Sequence, residues 1–315
     1  MWLAGCSGSP HASTEKYYLV AANIKIPYWQ NVNAGLMHAV TQMGVKAEMS
    51  GPDTFDPKAE HDAFQQVLAE KIKPSGIMVS VADPALIQPD IDAATAQGIP
   101  VVTVDADAPA SKRLTFIGTD NYKAGTMGAE LAIKQLQGKG NVVIFAMPEQ
   151  ANLKDRLHGY HDAFETHYGI KVVETVDIKG DPRIAFDHVQ ELVDKKIIDK
   201  IDGFICVEAI ACPEVADVLD RNKITGKVVV AMDTDPRTLD WIKKGGIAGT
   251  IAQKPFTMGY VGAMTLDLAH HYPPVPLDKN WAVDPHSQLP TFMGTGEFLV
   301  DKSNVDSFIS ETAQK

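Results

Sequence analysis

The sequence has no run of about 18 apolar residues, so no segment has the length of a membrane-crossing helix. It has no cluster of Lys and Arg, and its formal net charge is -11. Nucleic acid, whose phosphates need clustered cations, is therefore excluded as a partner. An anionic membrane surface is disfavoured for the same reason. There are three cysteines, at positions 6, 206 and 212, and no pair at zinc spacing. No G-x-x-x-x-G-K-[ST] loop, no G-x-G-x-x-G after the first apolar run, no G-x-S-x-G, no H-E-x-x-H and no calcium loop occurs. His270 and His271 are adjacent on a predicted helix and point in different directions, which makes them poor co-ligands. An α/β enzyme usually shows one of these signs. The expectation is therefore a protein that is not an enzyme and holds no cofactor and no metal.

What is present is alternation. Short apolar runs such as Tyr17 to Ala22, Gly76 to Ser80, Asn141 to Ala146 and Lys227 to Met232 are separated by helical patterns of ten to eighteen residues. Asp-Pro pairs at Asp56-Pro57, Asp83-Pro84, Asp181-Pro182 and Asp235-Pro236 mark helix starts. This is the pattern of βαβ units and parallel sheets. About ten such strands are too many for one comfortable sheet. At 315 residues the chain suits two domains. The predicted fold is α/β, with two Rossmann-like lobes of parallel sheet flanked by helices.

In open α/β sheets the ligand crevice lies beyond the carboxyl ends of the strands. The residues standing there are Asn23, Tyr28 and Trp29 after the first strand, and Asp105 and Asp107 after Pro100-Val-Val-Thr-Val. Arg156 lies on the first turns of a helix, Glu208 follows Val207, Asp233 follows Met232, and Gln253 follows Ala252. Carboxylates, amides and one Arg offer paired hydrogen-bond partners to neighbouring hydroxyls. Aromatic rings offer a face to the C–H side of a sugar. So many acids and so few bases argue against a phosphate or carboxylate ligand. A neutral polyhydroxylated molecule fits. Some of these residues have a plainer reading. Asp107 could equally serve as a helix cap, Tyr28 and Trp29 could be core, Arg156 could form a surface salt bridge, and Glu208 is evenly balanced between a ligand contact and a structural role.

The order of these pieces resembles the type I periplasmic binding proteins of ABC sugar importers, in the ribose-binding branch, from about Tyr17 to Ala282. Pro27-Tyr28-Trp29, Ile99-Pro100-Val101 through Asp105, Asp120-Asn121, Arg156 with Gly159-Tyr160, Asp233, and Thr250-Ile251-Ala252-Gln253 carry the resemblance. It implies a three-strand hinge and capture of a pentose, hexose or polyol by lobe closure. Tyr28 and Trp29 would stack on the ring. Asp105, Arg156, Asp233 and Gln253 would bind hydroxyls. The implied partner is a permease, and the implied state is a monomer. The implied lobes are 17–118 plus 253–284 and 119–252 plus 285–315, with 1–16 outside both. Departures from the family pattern fall at Ile26, Ala106, Gly180 and Glu208. With Ala106 in place of the family's Arg, neighbouring Asp107 becomes the expected carrier of this protein's own specificity.

Leu3-Ala4-Gly5-Cys6 resembles the lipobox of bacterial lipoproteins, and a small polar stretch follows it. It implies lipidation at Cys6, a membrane link only through that anchor, and a periplasmic or cell-surface location. Cys206 and Cys212, across a predicted strand-to-helix turn, are either a disulfide or two buried thiols. Three other functions share the architecture. They are a furanone receptor of the autoinducer-2 type, an α/β enzyme using Asp105 or Glu208 as acid or base, and the effector core of a sugar-responsive repressor.

Overall fold

The computed structural model describes residues 11–312; Cys6, the expected lipidation site, lies outside them. The chain divides into two compact units, 1–118 with 255–294 and 119–254 with 295–315. In chain order the first unit builds β1 (Lys16–Val20), α1 (Pro27–Met43), β2 (Lys46–Ser50), α2 (Pro57–Leu68), β3 (Gly76–Val79), α3 (Pro84–Ala96), β4 (Val101–Val104) and β5 (Phe116–Gly118). The second builds α4 (Asn121–Gln135), β6 (Gly140–Ala146), α5 (Ala151–Glu165), β7 (Ile170–Asp177), α6 (Pro182–Asp194), β8 (Gly203–Cys206), α7 (Ala211–Arg221), β9 (Val228–Met232), α8 (Pro236–Lys244) and β10 (Gly249–Ala252). The chain returns to the first unit for α9 (Pro255–His271) and β11 (Phe292–Gly294). It ends in the second with β12 (Phe298–Asp301) and α10 (Val305–Thr312).

Each unit has one six-stranded sheet, ordered β11-β5-β4-β3-β1-β2 and β12-β10-β9-β8-β6-β7. Every described pairing is parallel except β10 with β12. Leaving out the last strand of each, the two orders are the same 2-1-3-4-5 winding, whose ligand crevice opens at the carboxyl edge. Alternate residues of one strand enter different cores. Tyr17 and Leu19 pack with α1 and α9 residues, and Tyr18 and Val20 with α2 and α3 residues. Burial on both faces is why these strands carry uninterrupted apolar runs.

Aspartates start five helices. Asp56, Asp83, Asp120, Asp181 and Asp235 accept from backbone amides two or three residues on, at 2.8–3.0 Å. Each cap contributes about 1 kcal/mol, and four of the five hold the helix with Pro at its first position.

Two strands lie outside the predicted pattern. β11 pairs with β5 in the first unit, where Phe292 stacks on Phe116 at 5.3 Å. Thr115 Oγ1 also donates to the Pro290 carbonyl at 2.7 Å. Residues 285–294 therefore belong to the first unit, and the last boundary falls at 294/295, ten residues beyond the implied 284/285. Gln253 and Lys254 belong to the second unit, because Gln253 bonds to Asp233 and Thr119 there.

Candidate functional site

In the first unit the strand-end residue is Asp105. It follows β4 directly with φ +64°, in the left-handed region, and its amide donates to the Ile117 carbonyl of β5 at 3.1 Å. A non-glycine residue held there costs of order 1 kcal/mol and marks a position that the surroundings over-determine. Tyr28, second residue of α1, donates its hydroxyl to Asp105 Oδ1 at 2.6 Å. Pro27 at the helix start sets the direction from which Tyr28 arrives. Trp29 is 5% exposed and belongs to the apolar core with Val32 and Leu36. It meets Tyr28 edge-on at 5.2 Å. Asn23 is spent locally, its Oδ1 accepting from the Lys25 amide at 3.3 Å.

Asp107 has a different occupation from the one expected. Both its oxygens are taken by the Arg113 fork, Nε to Oδ1 and Nη2 to Oδ2, each at 2.5 Å. The Thr103 hydroxyl and the Ala108 amide add donors at 2.6 and 2.8 Å. Arg113 is buried and also donates to the Thr291 carbonyl at 3.2 Å. The pair thus braces the end of β4 against the segment entering β11. A carboxylate with four donors has little capacity left for a ligand, and the contact that the structure gives Asp107 is this brace with Arg113. The signal missed in the sequence was Arg113, six residues on.

The second unit repeats the first device with other partners. Asp233 follows β9 directly with φ +69°, and its amide donates to the Ile251 carbonyl of β10 at 2.9 Å. Gln253 Nε2 donates to Asp233 Oδ1 at 2.8 Å, and the Thr119 hydroxyl donates to Gln253 Oε1 at 2.6 Å. The Thr250 hydroxyl caps the Asp233 carbonyl at 2.7 Å.

Arg156 is 2% exposed. Its Nη1 donates to the Val207 carbonyl at 2.5 Å and its Nη2 to Asn121 Oδ1 at 2.6 Å. The meeting depends on close helix packing. A Cβ on Gly125 of α4 would lie 2.0 Å from the Arg156 carbonyl of α5, and one on Gly159 would lie 2.2 Å from the Tyr122 carbonyl. Only glycine at both positions lets the two backbones approach. The Nε–H of Arg156 has no acceptor among the described residues. Two of its five N–H donors are held by neutral oxygens, which leaves guanidinium donors for a further acceptor such as a hydroxyl.

Glu208 follows Val207 but caps α7: its two oxygens accept from the Ile210 and Ala211 amides at 2.6 and 3.1 Å. Burial pushes its carboxyl up to about 7, with the amides and Arg156 opposing and Asp233 adding. Two residues earlier, Cys206 is joined to Cys212 by a disulfide, Cα–Cα 5.6 Å, which fixes the turn from β8 into α7. The structure thus brings Asp233 and Gln253 together and Tyr28 and Asp105 together. It gives Glu208, Asn23 and Asp107 local partners.

A periplasmic binding protein domain matches residues 17–269. The chain is 24% identical over 302 residues to the xylose/arabinose-binding protein XylF of Sulfolobus acidocaldarius, covering 90% of this chain and 70% of that protein. Among solved structures, it resembles a solute-binding protein from Burkholderia graminis in complex with D-arabinose. That match has a TM-score of 0.84 and 27% identity, covering 94% of this chain and 98% of the other. The arabinose-binding protein AraP of Geobacillus stearothermophilus matches with a TM-score of 0.77 at 29% identity, over 93% and 99%. Two α/β units of like winding, each with a left-handed aspartate after a central strand, agree with the domain match. This chain belongs to the periplasmic binding protein family.

Proposed function

We propose that this protein is the extracytoplasmic binding component of an ABC importer and binds a neutral monosaccharide, a pentose or hexose, or a related polyol. The carrying observation is the matched pair Asp105 and Asp233, each held at positive φ directly after a strand and each oriented by a hydrogen-bond donor. Carboxylates so fixed accept from adjacent hydroxyls, and each bond to a charged group contributes about 1.5–3 kcal/mol. Asn121-anchored Arg156 supplies a donor for the same kind of ligand, and Tyr28 an aromatic face. The named ligands of the relatives, xylose, arabinose and D-arabinose, support this reading. No acid–base role is assigned to Glu208, because both its oxygens cap α7, so the reading is of a binding protein without turnover. Lipidation at Cys6, a monomeric state, delivery to a permease and hinge bending at the three chain crossings belong to the same proposal.

Thermal unfolding against a sugar panel tests it. At saturation at least one pentose, hexose or polyol should raise the melting temperature, with an affinity near micromolar, about -8 kcal/mol. A panel in which only a furanone, or nothing, stabilises the protein would sink the assignment.

A further inference from the structure

A second cluster lies at the opposite end of the first unit's sheet from Asp105, at the amino end of β1. It joins residues from both ends of that unit's sequence: His11, Glu15, Asp267 and His271. His11 Nε2 lies 3.1 Å from Asp267 Oδ1. His271 Nε2 lies 3.3 Å from Glu15 Oε2 and 3.5 Å from Asp267 Oδ1. All four donor atoms fall within 4.8 Å of one another. We propose that these four side chains form a site for a divalent transition-metal ion, with zinc the best fit.

The geometry is that of a four-coordinate shell. With metal–ligand bonds of about 2.0–2.1 Å, the ligand atoms of a tetrahedron stand about 3.3 Å apart, and the three contacts scatter around that value. Two imidazoles with two carboxylates select zinc or a similar ion over calcium and magnesium, which take oxygen shells. The charge also closes, since two carboxylates and two neutral imidazoles sum to the opposite of a divalent cation. Glu15 is 6% exposed, so its charge benefits from a partner more than a surface acid would.

The supporting groups are those expected around a ligand set. The Tyr17 hydroxyl donates to Asp267 Oδ1 at 2.9 Å. The Ala12 amide donates to Glu15 Oε1 at 2.6 Å, turning Oε2 toward the cluster. Asp267 and His271 are one helical turn apart on α9 and share a face. His270 is excluded: it stands edge-on to Tyr17 at 6.3 Å. No spacing motif betrays this set, because its halves are separated by some 250 residues of sequence. Metal binding would clamp the stretch before β1 onto the end of α9.

The test uses the untagged full chain, stripped with EDTA and titrated with CoCl2 and ZnCl2. One equivalent of cobalt should give the intense visible absorption of a tetrahedral site, and zinc should displace it. Saturating zinc should raise the melting temperature by roughly 4–8 °C. His11→Ala and His271→Ala should each abolish both signals, and His270→Ala should keep them. His11 precedes all regular structure, so His11→Ala remains informative if the helix variant fails to fold. A wild-type chain showing neither signal, or signals surviving His11→Ala, would mean that the cluster is only a hydrogen-bonded network.

Discussion

Asp105 and Asp233 are the same device built twice with different supports. Both end a central parallel strand, both sit near φ +65°, and both bond through the amide to the next strand. Asp105 is then oriented by one aromatic hydroxyl from a helix start. Asp233 is oriented by an amide that is itself oriented by a threonine. In the first unit the carboxylate is held by a ring hydroxyl, in the second by a relay of two polar side chains. A buried polar network punishes a wrong partner by leaving groups unpaired, whereas an apolar face discriminates weakly. The second unit should therefore dominate both affinity and the choice of hydroxyl pattern.

The largest effect should come from removing the second carboxylate. Asp233→Gly keeps the left-handed backbone at ease while deleting the acceptor. It should weaken sugar binding by about 3 kcal/mol or more, over a hundredfold in Kd, with the circular dichroism spectrum unchanged. Calorimetry decides it, and an affinity within tenfold of wild type would remove Asp233 from the site. Asp107→Ala offers the contrasting result at the neighbouring acid of the first unit. It leaves the buried Arg113 guanidinium unpaired, so it should cost about 3 kcal/mol of stability and little sugar affinity. Asp107→Leu with Arg113→Met should recover most of that stability. A large loss of sugar affinity in the double variant would return Asp107 to the ligand.

A smaller effect tests Glu208. Its carboxyl is raised in the folded state, so the native protein holds a proton that the unfolded chain has released once the pH exceeds about 4.5. That stabilisation is complete below the unfolded value and is lost as pH rises through about 7. Denaturant titrations from pH 4.5 to 8 should show a decline attributable to Glu208, on the order of 2–3 kcal/mol. Glu208→Gln, though less stable for loss of one capping oxygen, should have a flatter profile. An unchanged slope would assign the decline to another group.

How much of this was legible follows from how local each signal is. The Asp-Pro helix starts need two adjacent residues, and the doubly buried strands need four or five, so both could be seen in the sequence. So could the strand-end position of Asp105 and Asp233, because each follows an apolar run directly. β11 and β12 were not, because three or four residues at a sheet edge carry no period. The Arg113–Asp107 fork and the four-residue cluster at His11 were hidden because their partners meet only through the loop and the returning helix. The capping contact of Glu208 was not legible, because a cap without a following proline has the same local sequence as a site residue. The packing of Trp29 with Val32 and Leu36 was not legible either, because side-chain direction at a helix start is set by packing, not by residue type.

The smallest change gives the finest view of the two supports. Tyr28→Phe removes the donor to Asp105 but keeps the ring and its edge-on contact with Trp29. Asp105 keeps its backbone bond to Ile117 and its left-handed conformation, so the carboxylate stays near its place and loses the bond from Tyr28. The expected loss of sugar affinity is about 1 kcal/mol, less than tenfold. Gln253→Leu makes the parallel change in the second unit, but it removes the donor to Asp233 Oδ1 and also leaves the Thr119 hydroxyl without its acceptor. It should therefore cost several times more in Kd than Tyr28→Phe. Titration of both variants with the same sugar checks the ranking. Equal losses would show that the two supports are equivalent and that the polar relay adds no discrimination beyond a single hydroxyl.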